Sequence, residues 1–224
     1  MVRAKQPVPK RTDTKIKLLN AALRTIRTKG YGASTVDDIC DAAGVSKGSF
    51  FHHFTSKEEL ALAAAAHFSA GADALFAGAS YRDADDPRER VLRYVDLRST
   101  MLRGELPDFT CLLGTMVQET YKTHPAIRQA CDEHIRHHAS DVARDIADAK
   151  AAYAPQAPWS AESLGLFTQA VIQGAFILAK AHEDPAVAAD CLVHLRRYLE
   201  TQLPEPATTH PSEEGPEQWR SDPT

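Results

Sequence analysis

The fold turns on Thr35-Val-Asp-Asp-Ile-Cys-Asp-Ala-Ala-Gly44-Val-Ser-Lys-Gly-Ser-Phe-Phe-His-His-Phe54, followed by Thr-Ser-Lys57-Glu-Glu-Leu60. Thr35 supplies an N-cap and Asp37 and Asp38 an acidic first turn, so a short helix starts here and ends at Ala43-Gly44. Val45-Ser46 turns directly into Lys47 to Phe54, and Ser56-Lys-Glu-Glu59 has the capping-box spacing that starts a longer helix. Ile39 and Ala42 face Val45 and Phe50 across a tight turn that Gly44 permits by accepting positive φ. Two helices are thereby held at a fixed angle. The second begins with small or basic residues, Ser46, Lys47, Gly48 and Ser49, that allow its N-terminus to approach DNA closely. Free amides and the helix dipole at such a terminus favour phosphate, and its first residues reach base edges.

Upstream, Ile16, Leu19, Leu23 and Ile26 follow the three-and-four spacing of one helix face, and Lys29-Gly30 provides a basic last turn and a stop. Three short helices within roughly the first 55 residues have the dimension of a helix-turn-helix module. The charge is distributed accordingly. The 224 residues sum to −4, which by itself argues against a polyanionic partner. Residues 1–57, however, carry 11 Lys or Arg against 4 Asp or Glu, a local +7, whereas residues 58–224 carry 15 against 26, or −11. A basic amino-terminal module on an acidic body is the asymmetry of a tethered nucleic-acid binder.

Downstream the periodicity stays helical. Asp86-Pro87, His124-Pro125 and Asp184-Pro185 place proline at first helical positions, and Ser160 with Glu162 opens a further helix. After a helix over 58–78, the pattern predicts helices near 86–103, 110–122, 124–152, 160–182 and 185–202, with no convincing strand. The fold class is all-α. The domains read as a basic flexible arm (1–11), a helix-turn-helix domain (12–57), a helical body (58–203) and a disordered acidic, Pro-rich tail (204–224). Hydrophobic content of 43% with 25% charged residues is ordinary globular usage. Leu60–Ala79 and Leu164–Ala181 resemble weak membrane spans, but His67, Asp73, Gln169 and Gln173 mark them as buried helices, so no membrane partner is expected. Cys40, Cys111, Cys131 and Cys191 are scattered, the basic start leads into no apolar signal region, and a cytoplasmic protein with reduced thiols is expected.

The stretch from Gly44-Val-Ser-Lys-Gly-Ser-Phe through Phe54 to Ser56-Lys57-Glu-Glu-Leu closely resembles the signature of the tetracycline-repressor (TetR) family. These are bacterial transcription regulators with an amino-terminal helix-turn-helix and a carboxy-terminal helical domain for ligand binding and dimerisation. The specific match covers about residues 12–60, and length with helical organisation extends it to about 203. The resemblance implies DNA-contact roles. Thr35 would cap a helix and touch a phosphate; Ser46, Lys47, Gly48 and Ser49 would form the groove-facing start of the recognition helix. His52 and His53 would lie near backbone phosphates and Lys57 would anchor another. Family members usually have tyrosine where Phe51 stands, so the hydroxyl contact is missing, although the ring still suits a thymine methyl.

The resemblance also implies a homodimer on a near-palindromic DNA operator and a small-molecule effector that releases it. Leu164, Phe167, Val171, Ile172, Phe176, Ile177 and Leu178 wrap most of a helix, and all-round apolarity means burial on more than one side. With Gly174 and Ala175 allowing close approach, and Val187, Cys191, Leu195, Tyr198 and Leu199 on the last helix, these two helices would pair with their twofold mates. Of these, Phe167, Val171, Gly174, Ala175, Leu178, Val187, Cys191, Leu195 and Tyr198 are the candidate dimer interface. Two recognition helices would then sit roughly 34–36 Å apart. The implied effector cavity would be walled by Phe68, Met101, Cys111, Met116 and Phe167, each of which plain core packing explains as well. Cys111 opens an apolar helix whose N-terminus favours thiolate, which makes it a candidate sensor of reactive compounds beside the reading of an inert buried thiol.

His134-Ile-Arg-His-His138 sets three imidazoles at i, i+3 and i+4 with Asp141 a turn later, a spacing that can bind metal. A solvated polar face explains it better because no distant Cys or His motif completes the site, and neither metal nor other cofactor is expected. The rival classes are an activator of the same fold, a helical metal-dependent enzyme built on that cluster, and a helical interaction protein without DNA binding. No Gly-rich phosphate loop, G-x-S-x-G or metal-spaced His-Glu motif supports an enzyme, so no catalytic residue is expected.

Overall fold

In a computed structural model, residues 11–205 are described. The expected arm, apart from Arg11, and the expected tail, apart from Pro204 and Glu205, lie outside them. The described residues form ten α-helices and no strand: α1 (Arg11–Lys29), α2 (Val36–Ala43), α3 (Lys47–His53), α4 (Lys57–Ala77), α5 (Pro87–Thr100), α6 (Leu106–Phe109), α7 (Leu112–Thr120), α8 (Pro125–Tyr153), α9 (Ala161–His182) and α10 (Pro185–Gln202).

The short helices are held by their ends. Thr35 caps α2 in a reciprocal box with Asp38: the Asp38 amide donates to Thr35 Oγ1 at 3.1 Å, and the Thr35 amide donates to Asp38 Oδ2 at 2.8 Å. Gly44 closes α2 in the left-handed region at φ 65°, and a Cβ there would meet no atom within 4 Å. Backbone conformation, not space, therefore selects glycine at the turn. Ser46 and Ser56 cap α3 and α4 in the same way, each accepting from the amide three residues on.

Two large cores organise the described residues. The first gathers Leu18 and Ile26 of α1, Ile39 of α2, Phe50 and Phe54 of the α3 region and Leu60 of α4, and continues into Leu112 and Met116 of α7 and Ile127 of α8. The amino-terminal helices thus share their core with the body. The second lies between the end of α4 and α5, α8, α9 and α10, around Phe76, Tyr94, Ile146, Ile172, Leu192 and Leu199. At Gly165 a Cβ would come within 2.9 Å of the Ala139 carbonyl oxygen, so glycine lets α9 lie directly on the α8 backbone. α4 and α9 are long and apolar enough to cross a membrane, yet each contributes side chains to these cores.

The expected helix over 110–122 starts later, with Cys111 as its cap, and is preceded by a separate turn of helix, α6, that Pro107 opens. A short 3-10 turn over Ser80–Asp83, which no local signal announces, buries Tyr81 in the second core with its ring 5.7 Å from that of Tyr94.

Candidate nucleic-acid interface and effector cavity

The start of α3 is exposed at Ser46, Lys47 and Gly48, with Ser49 half-buried beneath. Phe50 and Phe51 divide their roles by one helical step: Phe50 is fully buried, whereas Phe51 is 53% exposed beside it, rings 5.1 Å apart. The exposed His52 ring lies 5.2 Å from that of His53, which is half-buried. Thr35 is exposed at the start of α2, next to this surface. Lys47 pairs with Asp37 at 2.9 Å in an exposed bridge, so little free energy opposes its release to another anion.

Lys57 is placed differently. Its ammonium donates to the Tyr31 and Ser34 carbonyls at 3.0 and 2.9 Å and lies 4.3 Å from the Tyr31 ring centroid. Two of its three donors thus tie α4 to the loop before α2, leaving one for any phosphate. Asp38 accepts from Thr35 and pairs with Lys29 at 2.7 Å, and these contacts hold its carboxyl far below the usual range.

A second set of contacts, with no local signature in the sequence, binds α1 to the body. Arg24 pairs with Glu105 at 2.5 Å and with Asp108 at 2.7 Å. Arg27 donates to the carbonyls of Leu23, Asp108 and Thr110, and Glu119 accepts the amides of Tyr31 and Gly32 at 3.1 and 2.7 Å. Burial lowers the Arg27 pKa, the nearby Asp108 opposing it.

Above these contacts lies a cavity of about 320 Å³ with α1, α4, α5, α8 and α9 in its wall. Phe68, Met101 and Cys111 line it, as does Leu23 of α1. Two other expected wall residues, Met116 and Phe167, lie outside it. Met116 is fully buried in the first core, because α7 turns that side toward α1 and α8. Phe167 is 42% exposed and packs on Tyr198, because it lies on the side of α9 away from the cavity. Cys111 is half-buried, and its sulfur accepts the Gly114 amide at 3.5 Å as the cap of α7. It also lines a smaller adjoining cleft of about 210 Å³ with Lys180.

The His134 cluster divides. His138 points inward: its Nε2 lies 2.9 Å from the Tyr94 hydroxyl, which accepts from Gln169 Nε2 at 3.0 Å, and its ring centroid is 4.6 Å from that of Phe76. Burial, reinforced by the Arg98 charge, lowers its pKa to about 4. His137 points outward, Nε2 3.9 Å from Asp73 of α4 and 3.8 Å from Asp141. Asp73, His137 and Asp141 bring one ligand atom each within 4.8 Å of one another, so α4 supplies a distant group that the His134–Asp141 spacing alone does not announce.

The neutral His138 implies a pH dependence. The unfolded side chain binds a proton below about pH 6.5, the folded one only below about 4, so stability is full above 6.5 and lost as pH falls through that window. The complete loss is on the order of 3 kcal/mol. Urea midpoints at pH 7 and pH 4.5 should differ less in His138→Gln than in the parent chain; equal differences would refute the assignment.

α9 and α10 also expose apolar side chains. Phe167, Leu178 and Tyr198 are exposed and Val171, Gly174, Val187 and Cys191 half-exposed, with the Phe167 and Tyr198 rings 5.0 Å apart. Ala175 and Leu195, expected on this face, are instead 2% exposed, because each sits one helical step round toward the body's own core. Ile177 and Leu166, outside the expected interface, add exposed apolar surface.

A capped helix pair with an open N-terminus, joined through α1 and α4 to a cavity-bearing helical body, defines a helix-turn-helix protein with a helical carboxy-terminal domain. Residues 18–64 match the bacterial regulatory proteins of the tetR family, and residues 87–190 match the C-terminal domain of LmrA/YxaF-like transcriptional regulators. The chain belongs to the TetR family of DNA-binding transcriptional regulators, a family of regulators and not of enzymes. It is 49% identical over 51 residues to the HTH-type transcriptional regulator CymR of Pseudomonas putida, covering 23% of this chain and 25% of CymR. That match spans about a quarter of CymR's length. It is 24% identical over 175 residues to the HTH-type transcriptional regulator YxaF of Bacillus subtilis, 78% of this chain and 88% of YxaF. Among solved structures, regulatory protein TetR from Rhodobacter sphaeroides superposes with a TM-score of 0.74 at 25% identity, covering 84% and 98% of the two chains.

Proposed function

We propose that the chain is a cytoplasmic homodimeric repressor that binds a near-palindromic operator and leaves it when a small molecule enters the 320 Å³ cavity. Lys47, Gly48 and Ser49 face the major groove, with Ser46 at its edge and Phe51 against a thymine methyl. Thr35, His52, His53 and the remaining donor of Lys57 meet phosphates. The dimer forms through Phe167, Val171, Gly174 and Leu178 of α9 with Val187, Cys191 and Tyr198 of α10.

The observation that carries this reading is the sharing of α1 and α4. Leu23 and Arg27 of α1, and Phe68 to Phe76 of α4, wall the cavity, while the same helices pack on Phe50 and Phe54 around α3. A ligand that displaces α1 or α4 repositions the recognition helix, and any ligand preferring that arrangement draws the population away from DNA. Gly71 lines the cavity, and a Cβ there meets nothing within 4 Å, so Gly71→Phe fills space without disturbing the core. This variant should bind operator as the parent does, by fluorescence anisotropy, but resist every compound that releases the parent. Undiminished release would place the effector elsewhere.

A further inference from the structure

Among the described residues, the cavity wall contains a cation without an anion. Arg98 of α5 is half-buried, its guanidinium carbon 5.4 Å from the Phe76 ring centroid and 5.7 Å from that of Phe176. It forms no hydrogen bond or ion pair with any described residue. The other charged or titratable groups on the wall are engaged. Arg27 donates to three carbonyls, and Asp108 is held by Arg24 and by the Glu105 amide. Asp73 lies against His137, His67 contacts Asn20 Oδ1 at 3.0 Å, and His138 meets the Tyr94 hydroxyl.

A half-buried guanidinium facing a cavity is poorly hydrated, and its planar fork matches a carboxylate with two parallel hydrogen bonds. Two aromatic rings already flank it, so a ligand's ring next to its acid group would extend an existing stack. The remaining wall is apolar at Leu23, Phe68, Leu75, Met101, Phe109 and Ile135. A volume of about 320 Å³ suits a small flat body, and the Asp73 carboxylate in the same wall disfavours a second negative charge.

We infer that the effector is a flat, one- or two-ring organic monoanion whose acid group is bound by Arg98 between Phe76 and Phe176. This rests on the cavity being the effector site. Arg98 is then the residue that selects an acid over its neutral counterpart, since the neutral molecule leaves the guanidinium unpaired.

The test is calorimetric titration of the full chain with 2-naphthoate and its neutral isostere 2-naphthamide. The parent should bind the acid at least tenfold more tightly. Arg98→Met, which keeps length and apolar volume, should abolish that preference while binding the amide within twofold of the parent. An unchanged urea midpoint verifies folding, and Arg98→Lys, with charge but no fork, should retain part of the preference. Equal binding of acid and amide by the parent, or a preference that survives Arg98→Met, overturns the inference alone, provided Gly71→Phe blocks the amide. If neither compound binds, or Gly71→Phe weakens neither, the cavity reading falls with it.

Discussion

Replacing Phe167 and Leu178 together with glutamate will give a folded chain that is monomeric and binds operator at least a hundredfold more weakly. Both side chains are more than 40% exposed, so neither change opens a cavity in the core. In the proposed dimer they meet their twofold mates, and two carboxylates on each side would face an apolar surface without partners. The loss of DNA affinity follows from linkage. Two recognition modules on one dimer gain a factor on the order of 10²–10⁴ from effective concentration, which separate monomers forfeit. Sedimentation equilibrium reads the first part and anisotropy the second. A dimer that persists with full DNA affinity would move the interface away from α9 and α10.

Phe50→Ala is expected to cost about 3–5 kcal/mol. Phe50 is fully buried, packed against Phe54 at 5.8 Å between ring centroids, in a core that α3 has few other side chains to fill. That core runs on into Leu112, Met116 and Ile127, so the loss should appear in one transition of the whole chain rather than in an early melt of the amino-terminal helices. Phe51→Ala, one residue on but 53% exposed, should change stability by no more than about 0.5 kcal/mol while weakening DNA binding. Urea unfolding separates the two; a Phe50→Ala loss below about 1 kcal/mol would contradict the packing described.

Much of this was legible because it is local. Caps, the Gly44 turn and the proline starts act within a few residues, and the helices they predict lie within a few positions of those observed. The alternation between buried Phe50 and exposed Phe51 likewise follows from one short amphipathic helix. What escaped depends on pairs distant in sequence. Arg24 and Arg27 carry no local sign of their partners, which lie more than 80 residues away on the α6 side of the cavity. Asp73 reaches His137 only because α4 packs on α8. Helical spacing could not say which side of α9 faces out: Phe167 and Leu178 do, while Ala175, one step from Gly174, turns inward. Lys57 illustrates a third limit, since a lysine at a helix start suits a phosphate or a carbonyl pair equally, and only the loop at Tyr31–Ser34 decides how many donors stay free.

The charge of −4 resolves into a basic module and an acidic body, and in the proposed dimer the basic module, doubled, reads DNA. Selection of bound duplexes from a random pool by the full chain tests this most directly. A near-palindrome should be enriched, with half-site centres about one helical turn, or a small multiple of it, apart, and bound with an affinity that falls steeply with salt. Recovery of no common sequence, or of a lone half-site bound by one chain, would contradict it.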